Sequence, residues 1–268
     1  MPDHRILDHN RPAVALWDAG GMDYNDVSFA ISDALAHAAQ RLAPAAGERV
    51  LDVATGTGWS ARNVARTGAR VTAVDIGPAL LGAAGALSAH CTPAIDYQLA
   101  DAEDLPFADG QFDKVISTFG VMFSADHARA ARELARVCRK GGRLCLATWT
   151  PDGGVARFFA VVGAHSKAAA PPASPLLWGD PKHVRALLGE DFMLAFEQGV
   201  SHCYFDDVDA IWEWYLKGFG PLRALHENLD EAGRRALKAD VDAYHEHYKV
   251  EAGLHVTREY LITIGRRR

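Results

Sequence analysis

The chain has 268 residues, long enough for one α/β core with an embellishment or for two small domains. A hydrophobic content of 49% excludes an intrinsically disordered chain, and a net charge of −6 gives no general reason to expect nucleic-acid binding. No stretch approaches the roughly 20 apolar residues that a bilayer span needs.

Residues 1–5 lack the apolar run of a signal peptide. The four cysteines, Cys91, Cys138, Cys145 and Cys203, form no Cys-x-x-Cys pair. Cys138 falls in a helical pattern and Cys145 in a strand pattern, so both read as buried thiols. A reducing cytoplasm is the expected setting, with no disulfide framework, no metal site and no membrane partner. The terminal Arg266-Arg267-Arg268 reads as a solvated end.

Apolar positions Val27, Ile31, Ala34, Leu35, Ala38 and Leu42 predict one amphipathic helix, stopped by Pro44 and Gly47 and preceded by Trp17 and Tyr24. Residues 49–54 then predict a strand, followed by a glycine-rich turn and a helix over 59–67 that Gly68 ends. A second strand spans 70–75, and Pro78 opens a second helix. Strands follow at 95–100 and 112–118, then a helix at 126–139. Gly141-Gly142 turns the chain into a fifth strand at 143–148. Strands alternating with helices imply a parallel sheet covered on its faces by helices.

Beyond Pro151 the texture changes. Pro171-Pro172-Ala173-Ser174-Pro175 opposes regular structure, and Asp180-Pro181 starts a short helix through Leu188. A sixth strand is expected over 191–204, helices over 206–217 and 231–249, and a seventh strand over 254–264. The connection between the last two strands is too long for a hairpin and reads as a cap able to cover a substrate.

The richest segment is Val50-Leu51-Asp52-Val53-Ala54-Thr55-Gly56-Thr57-Gly58-Trp59-Ser60-Ala61. Its glycines let a ligand approach the backbone, and the following helix start offers unpaired N–H groups. Asp75 lies about 20 residues on, at a strand end, where a carboxylate can accept both hydrogen bonds of a ribose diol. Nicotinamide-binding domains use a similar glycine pattern. Asp52 breaks the tie: a carboxylate four residues before Gly56 would repel a diphosphate but suits an ammonium and a sulfonium. Asp101, after the third strand, can accept from an adenine amino group.

With Phe112-Asp113-Lys114-Val115-Ile116-Ser117-Thr118-Phe119 and Arg139-Lys140-Gly141-Gly142-Arg143-Leu144, this series resembles the class I S-adenosylmethionine-dependent methyltransferases. The similarity is to the branch related to the ubiquinone and menaquinone biosynthesis methyltransferases, and it runs from about Val50 to Thr150. The resemblance implies a Rossmann-like α/β fold: a seven-stranded, mostly parallel sheet, helices on both faces, the last strand antiparallel, and a helical cap insertion. A lid over residues 1–45 would precede a methyltransferase domain at 46–268, with cap elements within 151–180 and 205–250.

The resemblance also implies site residues. Asp52, Ala54, Thr55, Gly56 and Gly58 would hold the methionine part of S-adenosylmethionine, with Thr57, Trp59 and Ser60 in the same turn. Asp75 would bind ribose, Ile76 would pack on adenine, and Asp101 with Ala102 would bind the adenine edge. Ser117, Thr118 and Phe119, with Met122 nearby, would flank the methyl-transfer position, and Tyr24 would fold over the cofactor. Ser117-Thr118-Phe119-Gly120 departs from the Asn/Asp-Pro-Pro-aromatic motif of nucleobase and glutamine methyltransferases, which argues against those substrates.

Simpler roles stand beside these. Asp75 can cap the helix at Pro78, and Asp52 can serve loop amides alone. Trp212, Trp214, Tyr215 and Phe219 read as cap packing before substrate contacts. The histidines of His245-Glu246-His247 point about 200° apart on a helix and read as a solvated face, not a shared metal site. His127 and His202 are base candidates without a supporting pattern, so the catalytic residue is left unassigned. Methyl transfer to a small molecule is the leading expectation. The alternatives are a nicotinamide-dependent oxidoreductase, disfavoured by Asp52 and by the lack of a Tyr-x-x-x-Lys pair, and a non-catalytic S-adenosylmethionine-binding protein.

Overall fold

The computed structural model describes residues 6–168 and 171–268. Residues 1–5, where the absence of a signal peptide was read, and part of the 151–180 connection lie outside the described residues.

Strands β1 (Arg49–Val53), β2 (Arg70–Asp75), β3 (Asp96–Leu99), β4 (Phe112–Thr118) and β5 (Cys138–Trp149) form the parallel part of one sheet. β6 (Phe192–Phe205) and β8 (Gly253–Arg267) complete it, and the two-residue β7 (Lys249–Val250) pairs with β8. The order is β3-β2-β1-β4-β5-β8-β6, with β8 antiparallel to both neighbours. This is the expected mostly parallel sheet with an antiparallel last strand. The order reverses between β1 and β4, so the crevice beyond their carboxyl ends is where such a sheet binds ligands.

Helices α1 (Arg11–Asp18), α2 (Tyr24–Phe29) and α3 (Ser32–Leu42) precede the sheet. The pattern at 27–42 predicted one helix, but the chain breaks at Ile31 (φ −125°, ψ 17°). Tertiary partners take the groups around the break. Arg258 Nη2 donates to Ala30 O at 2.7 Å, and Asp33 accepts from Ser201 Oγ at 2.7 Å and His202 N at 3.1 Å. Trp17, placed before any helix by sequence, lies in α1.

α4 (Trp59–Ala65), α5 (Pro78–Leu87) and α6 (His127–Val137) are the crossover helices. Cys138, expected in α6, is instead the first residue of β5 and is buried, as are Cys145 and Cys203. α7 (Gly154–Gly163) went unpredicted, α8 (Pro181–Leu188) follows Asp180 as expected, and α9 (Val208–Gly218), α10 (Gly220–Asn228) and α11 (Glu231–Glu246) fill the connection after β6. α10 was also missed: it starts two residues after α9 ends, with Gly218 closing α9 and Pro221 in the first turn of α10.

Two hydrophobic cores result. One surrounds the sheet; the other gathers Phe158, Ile211, Trp212, Tyr215, Leu222, Leu237 and Val241 between the cap helices and β8. His245 belongs to the second core and is fully buried, which corrects its assignment to a solvated face. Its Nδ1 lies 2.7 Å from Val241 O, and burial depresses its pKa to about 4. His247 is exposed, so the two histidines do face apart.

No helix among the described residues is long and apolar enough to cross a membrane.

Candidate functional site

A cleft of about 910 Å³, open solvent included, lies at the order reversal of the sheet. The turn after β1 forms its floor. Ala54 (φ 56°), Gly56 (φ 56°) and Gly58 (φ 81°) all take left-handed backbone angles, which folds the chain tightly between β1 and α4. Tyr24 closes over this turn: a Cβ on Gly56 would sit 3.3 Å from its Cε1. Burial and the nearby Asp75 push the Tyr24 hydroxyl pKa upward.

Asp75 ends β2 with one oxygen accepting from Gly56 N (2.8 Å) and the other from Gly77 N (3.0 Å). Each oxygen keeps a lone pair for a second donor. Burial raises the Asp75 pKa, against the pull of its backbone amides. Capping of α5 falls to a different residue. Asp18 of α1 accepts from Ala79 N (2.7 Å) and Leu80 N (3.1 Å), so the simpler role considered for Asp75 is already filled.

Tyr24, Ala54, Thr55, Gly56, Trp59, Ser60, Asp75, Ile76, Asp101, Ala102, Thr118 and Phe119 all line this one cleft. Five expected residues do not. Asp52 lies fully buried beneath the turn, and Thr57 is buried with its hydroxyl 3.3 Å from Ser28 Oγ. Gly58 starts α4 facing Tyr97 and Ala84. Ser117 ties β4 to β1, donating to Val53 O at 2.7 Å, and Met122 is fully buried in the core.

Sequence reasoning missed Asn10, Ala13 and Trp17 on one stripe of the amino-terminal segment, and Ser28 and Leu35 on α2 and α3. The 10, 13, 17 spacing is a helical signal that was available. Leu80, Ala100, Gly120, Phe123 and Ser124 also line the cleft, each beside an expected residue or motif. Among the described residues, none from 205–250 does so. The cap packs behind the lid instead: a Cβ on Gly20 would meet Gly218 O at 2.7 Å, and one on Gly218 would meet Asp23 O at 2.6 Å. Trp212, Tyr215, Trp214 and Phe219 accordingly pack within the cap and against the lid.

His127 and His202 are also absent from the lining. His127 Nδ1 lies 3.1 Å from His183 Nε2, and His202 Nδ1 lies 2.9 Å from His255 Nε2.

Asp52 is a charge problem. Its Oδ2 accepts from the Thr55 hydroxyl at 2.7 Å, while Oδ1 has no hydrogen-bond partner among the described residues. Burial raises its pKa to about 7. A raised folded pKa means that the folded protein binds the proton more tightly, so stability falls as pH rises from about 4 to about 7. His245 acts oppositely in the same window, so the parent's own pH curve mixes the two. Comparison with Asp52→Asn separates them. The variant should match its parent near pH 4 and exceed it by about 2–4 kcal/mol at pH 8, measured by urea denaturation of the unliganded protein. A gain independent of pH would show that Asp52 stays ionised throughout.

Among the described lining residues there are two carboxylates, Asp75 and Asp101, and no lysine, arginine or histidine. Such a cleft suits a neutral or cationic ligand. It offers a diphosphate no counter-charge.

The comparisons agree with this chemistry. Residues 51–146 match the family model described as a methyltransferase domain. An uncharacterised protein of Mycobacterium tuberculosis is 37% identical over 199 residues, 73% of this chain and 72% of that protein. Demethylmenaquinone methyltransferase of Clavibacter sepedonicus is 39% identical over 105 residues, 39% of this chain and 42% of that enzyme. A crystal structure of a Bacillus halodurans protein, assigned to the methyltransferases, superposes with a TM-score of 0.61 at 24% identity, covering 87% of this chain and 97% of that one. By its matching domain, its relatives and its fold, this chain belongs to the class I S-adenosylmethionine-dependent methyltransferases.

Proposed function

We propose that this protein transfers a methyl group from S-adenosylmethionine to an oxygen, carbon or nitrogen of a small-molecule acceptor by in-line displacement. The observation that carries it is a cleft with a glycine turn after β1, carboxylates at the ends of the next two strands of the sheet, β2 and β3, and no cationic side chain among its described lining. When bound, S-adenosylmethionine supplies a methyl group already activated on sulfur.

The chain's own residues then have limited tasks. Asp75 accepts from the ribose hydroxyls with the lone pairs left after Gly56 and Gly77. Ile76 and Leu80 give apolar contact to the base, and the Ala54–Gly56 turn receives the methionine end. Trp17, Phe119 and Phe123 exclude water and hold an acceptor in line, which is where most of the rate gain arises. Among the described residues no histidine faces the cleft, which favours an acceptor whose nucleophile is itself acidic or already neutral and basic.

Methyl-labelled S-adenosylmethionine, incubated with the protein and a fractionated cell extract, tests this. Label should appear in a small molecule other than S-adenosylmethionine, with S-adenosylhomocysteine as the co-product. Label confined to the nucleic-acid or protein fraction would overturn the proposed acceptor class, and cofactor binding without transfer to any fraction would favour the non-catalytic alternative.

A further inference from the structure

We propose that Asn10, and not Asp101, reads the amino group of the adenine base. The proposal rests on the cleft taking an adenosyl cofactor, as above.

The Asp101 carboxylate is fully engaged. Its Oδ1 accepts from Asn10 Nδ2 (3.1 Å) and Glu103 N (2.9 Å), and its Oδ2 accepts from Leu7 N (3.1 Å) and Asn10 Nδ2 (3.0 Å). Three donors thus surround the two oxygens, with the Asn10 NH₂ shared between them on one side and a backbone N–H on each of the other sides. An adenine amino group arriving at Asp101 would have to displace the strap formed by residues 7–10.

Asn10 resolves the conflict. A carboxylate only accepts, so Asn10 must present its NH₂ to Asp101, which leaves the amide oxygen directed elsewhere. Among the described residues no donor reaches that oxygen. Asn10 is 6% exposed, and it lines the cleft beside Asp101 and Ala102. Its Oδ1 is an acceptor on the cleft side, matched to an exocyclic amine and mismatched to a carbonyl.

The strap is held independently on both flanks. His9 Nε2 lies 2.6 Å from Glu103 Oε2, and Asp18 at the end of α1 caps α5. Asp101 is thus a positioning residue that orients the Asn10 amide, and Asn10 sets base specificity.

The test is calorimetric binding of S-adenosylhomocysteine and its 6-oxo analogue, S-inosylhomocysteine, to the full chain. The parent should prefer the adenosyl ligand by about tenfold or more. In Asn10→Ala, adenosyl affinity should fall by about that factor while inosyl affinity stays near the parent value, so the preference collapses; retained inosyl binding also reports an intact fold. Should the variant fail to fold, hydrogen exchange of residues 6–12 in the parent decides. Protection should hold or rise when S-adenosylhomocysteine binds. Preserved discrimination in Asn10→Ala, tighter adenosyl binding in that variant, or loss of strap protection on binding would each overturn the proposal alone. A parent that binds neither ligand would overturn the adenosyl-cofactor reading with it.

Discussion

Asp75→Ala is expected to weaken S-adenosylhomocysteine binding about 100-fold or more. A hydrogen bond to a charged group contributes about 1.5–3 kcal/mol, and a ribose diol makes two; the lower bound of about 3 kcal/mol already corresponds to roughly two decades. Part of the loss is indirect. The carboxylate also accepts from Gly56 N and Gly77 N, so alanine orphans two amides and loosens the turn that should receive the methionine end. Asp75→Asn separates the contributions. Its amide oxygen can still serve one backbone donor, but its NH₂ faces a donor where an acceptor was. Titration calorimetry of both variants should rank parent, Asn and Ala in order of falling affinity. Equal affinity in all three would remove Asp75 from the binding site.

Gly120→Val should cost about 3 kcal/mol of stability, the upper range for overpacking. A Cβ at this position would lie 2.7 Å from Ala54 O, and Ala54 has no flexible end that can yield. The surroundings are already strained. Ala54 (φ 56°) and Phe119 (φ 57°) are non-glycine residues in left-handed backbone conformations, and they meet where the floor of the cleft joins its β4 wall. Phe119 is fixed there by stacking on Trp149, with ring centroids 3.9 Å apart. Gly82 is the internal control. It lies inside α5 with nothing within 4 Å of its Cβ position, so Gly82→Ala should stabilise by about 0.5–1 kcal/mol. Urea denaturation of the two variants should therefore move in opposite directions.

Strained non-glycine residues also mark the limit of what the amino-acid sequence expresses. Glycines 56 and 58 announce a turn because only glycine adopts such angles cheaply. Ala54 and Phe119 adopt them at a cost that the surrounding packing repays, and nothing in an alanine or a phenylalanine signals it. Expectation and structure agree most closely for the strands, whose periodicity and bounding glycines are local signals: β1, β2 and β4 begin and end within a residue or so of their expected limits. The break at Ile31 was hidden because its causes, Arg258 and the β6 backbone, lie far along the chain. His245 likewise shows a polar side chain that only the tertiary fold buries.

The same contrast divides the site. Asp75 and the glycine turn stand close in sequence order and could be placed by spacing. Asn10 and Trp17 reach the cleft because the lid folds back over the sheet, held at Asp101 and at the start of α5. Gly20, Gly218 and Gly220 let the lid and cap helices touch backbone to backbone, and their role emerges only when those helices meet. The long connection after β6, read as a cap able to cover a substrate, packs its aromatic face on α7 and β8 and meets the lid at Gly218 and Gly220.

Titration calorimetry with S-adenosylhomocysteine and, separately, NADH decides the matter most directly, since one ligand carries an adenosyl thioether with an ammonium and the other a diphosphate. The protein should bind S-adenosylhomocysteine at one site per chain and give no heat with NADH. Saturable binding of NADH, with none of S-adenosylhomocysteine, would contradict a cleft built around two carboxylates for an adenosyl sulfonium.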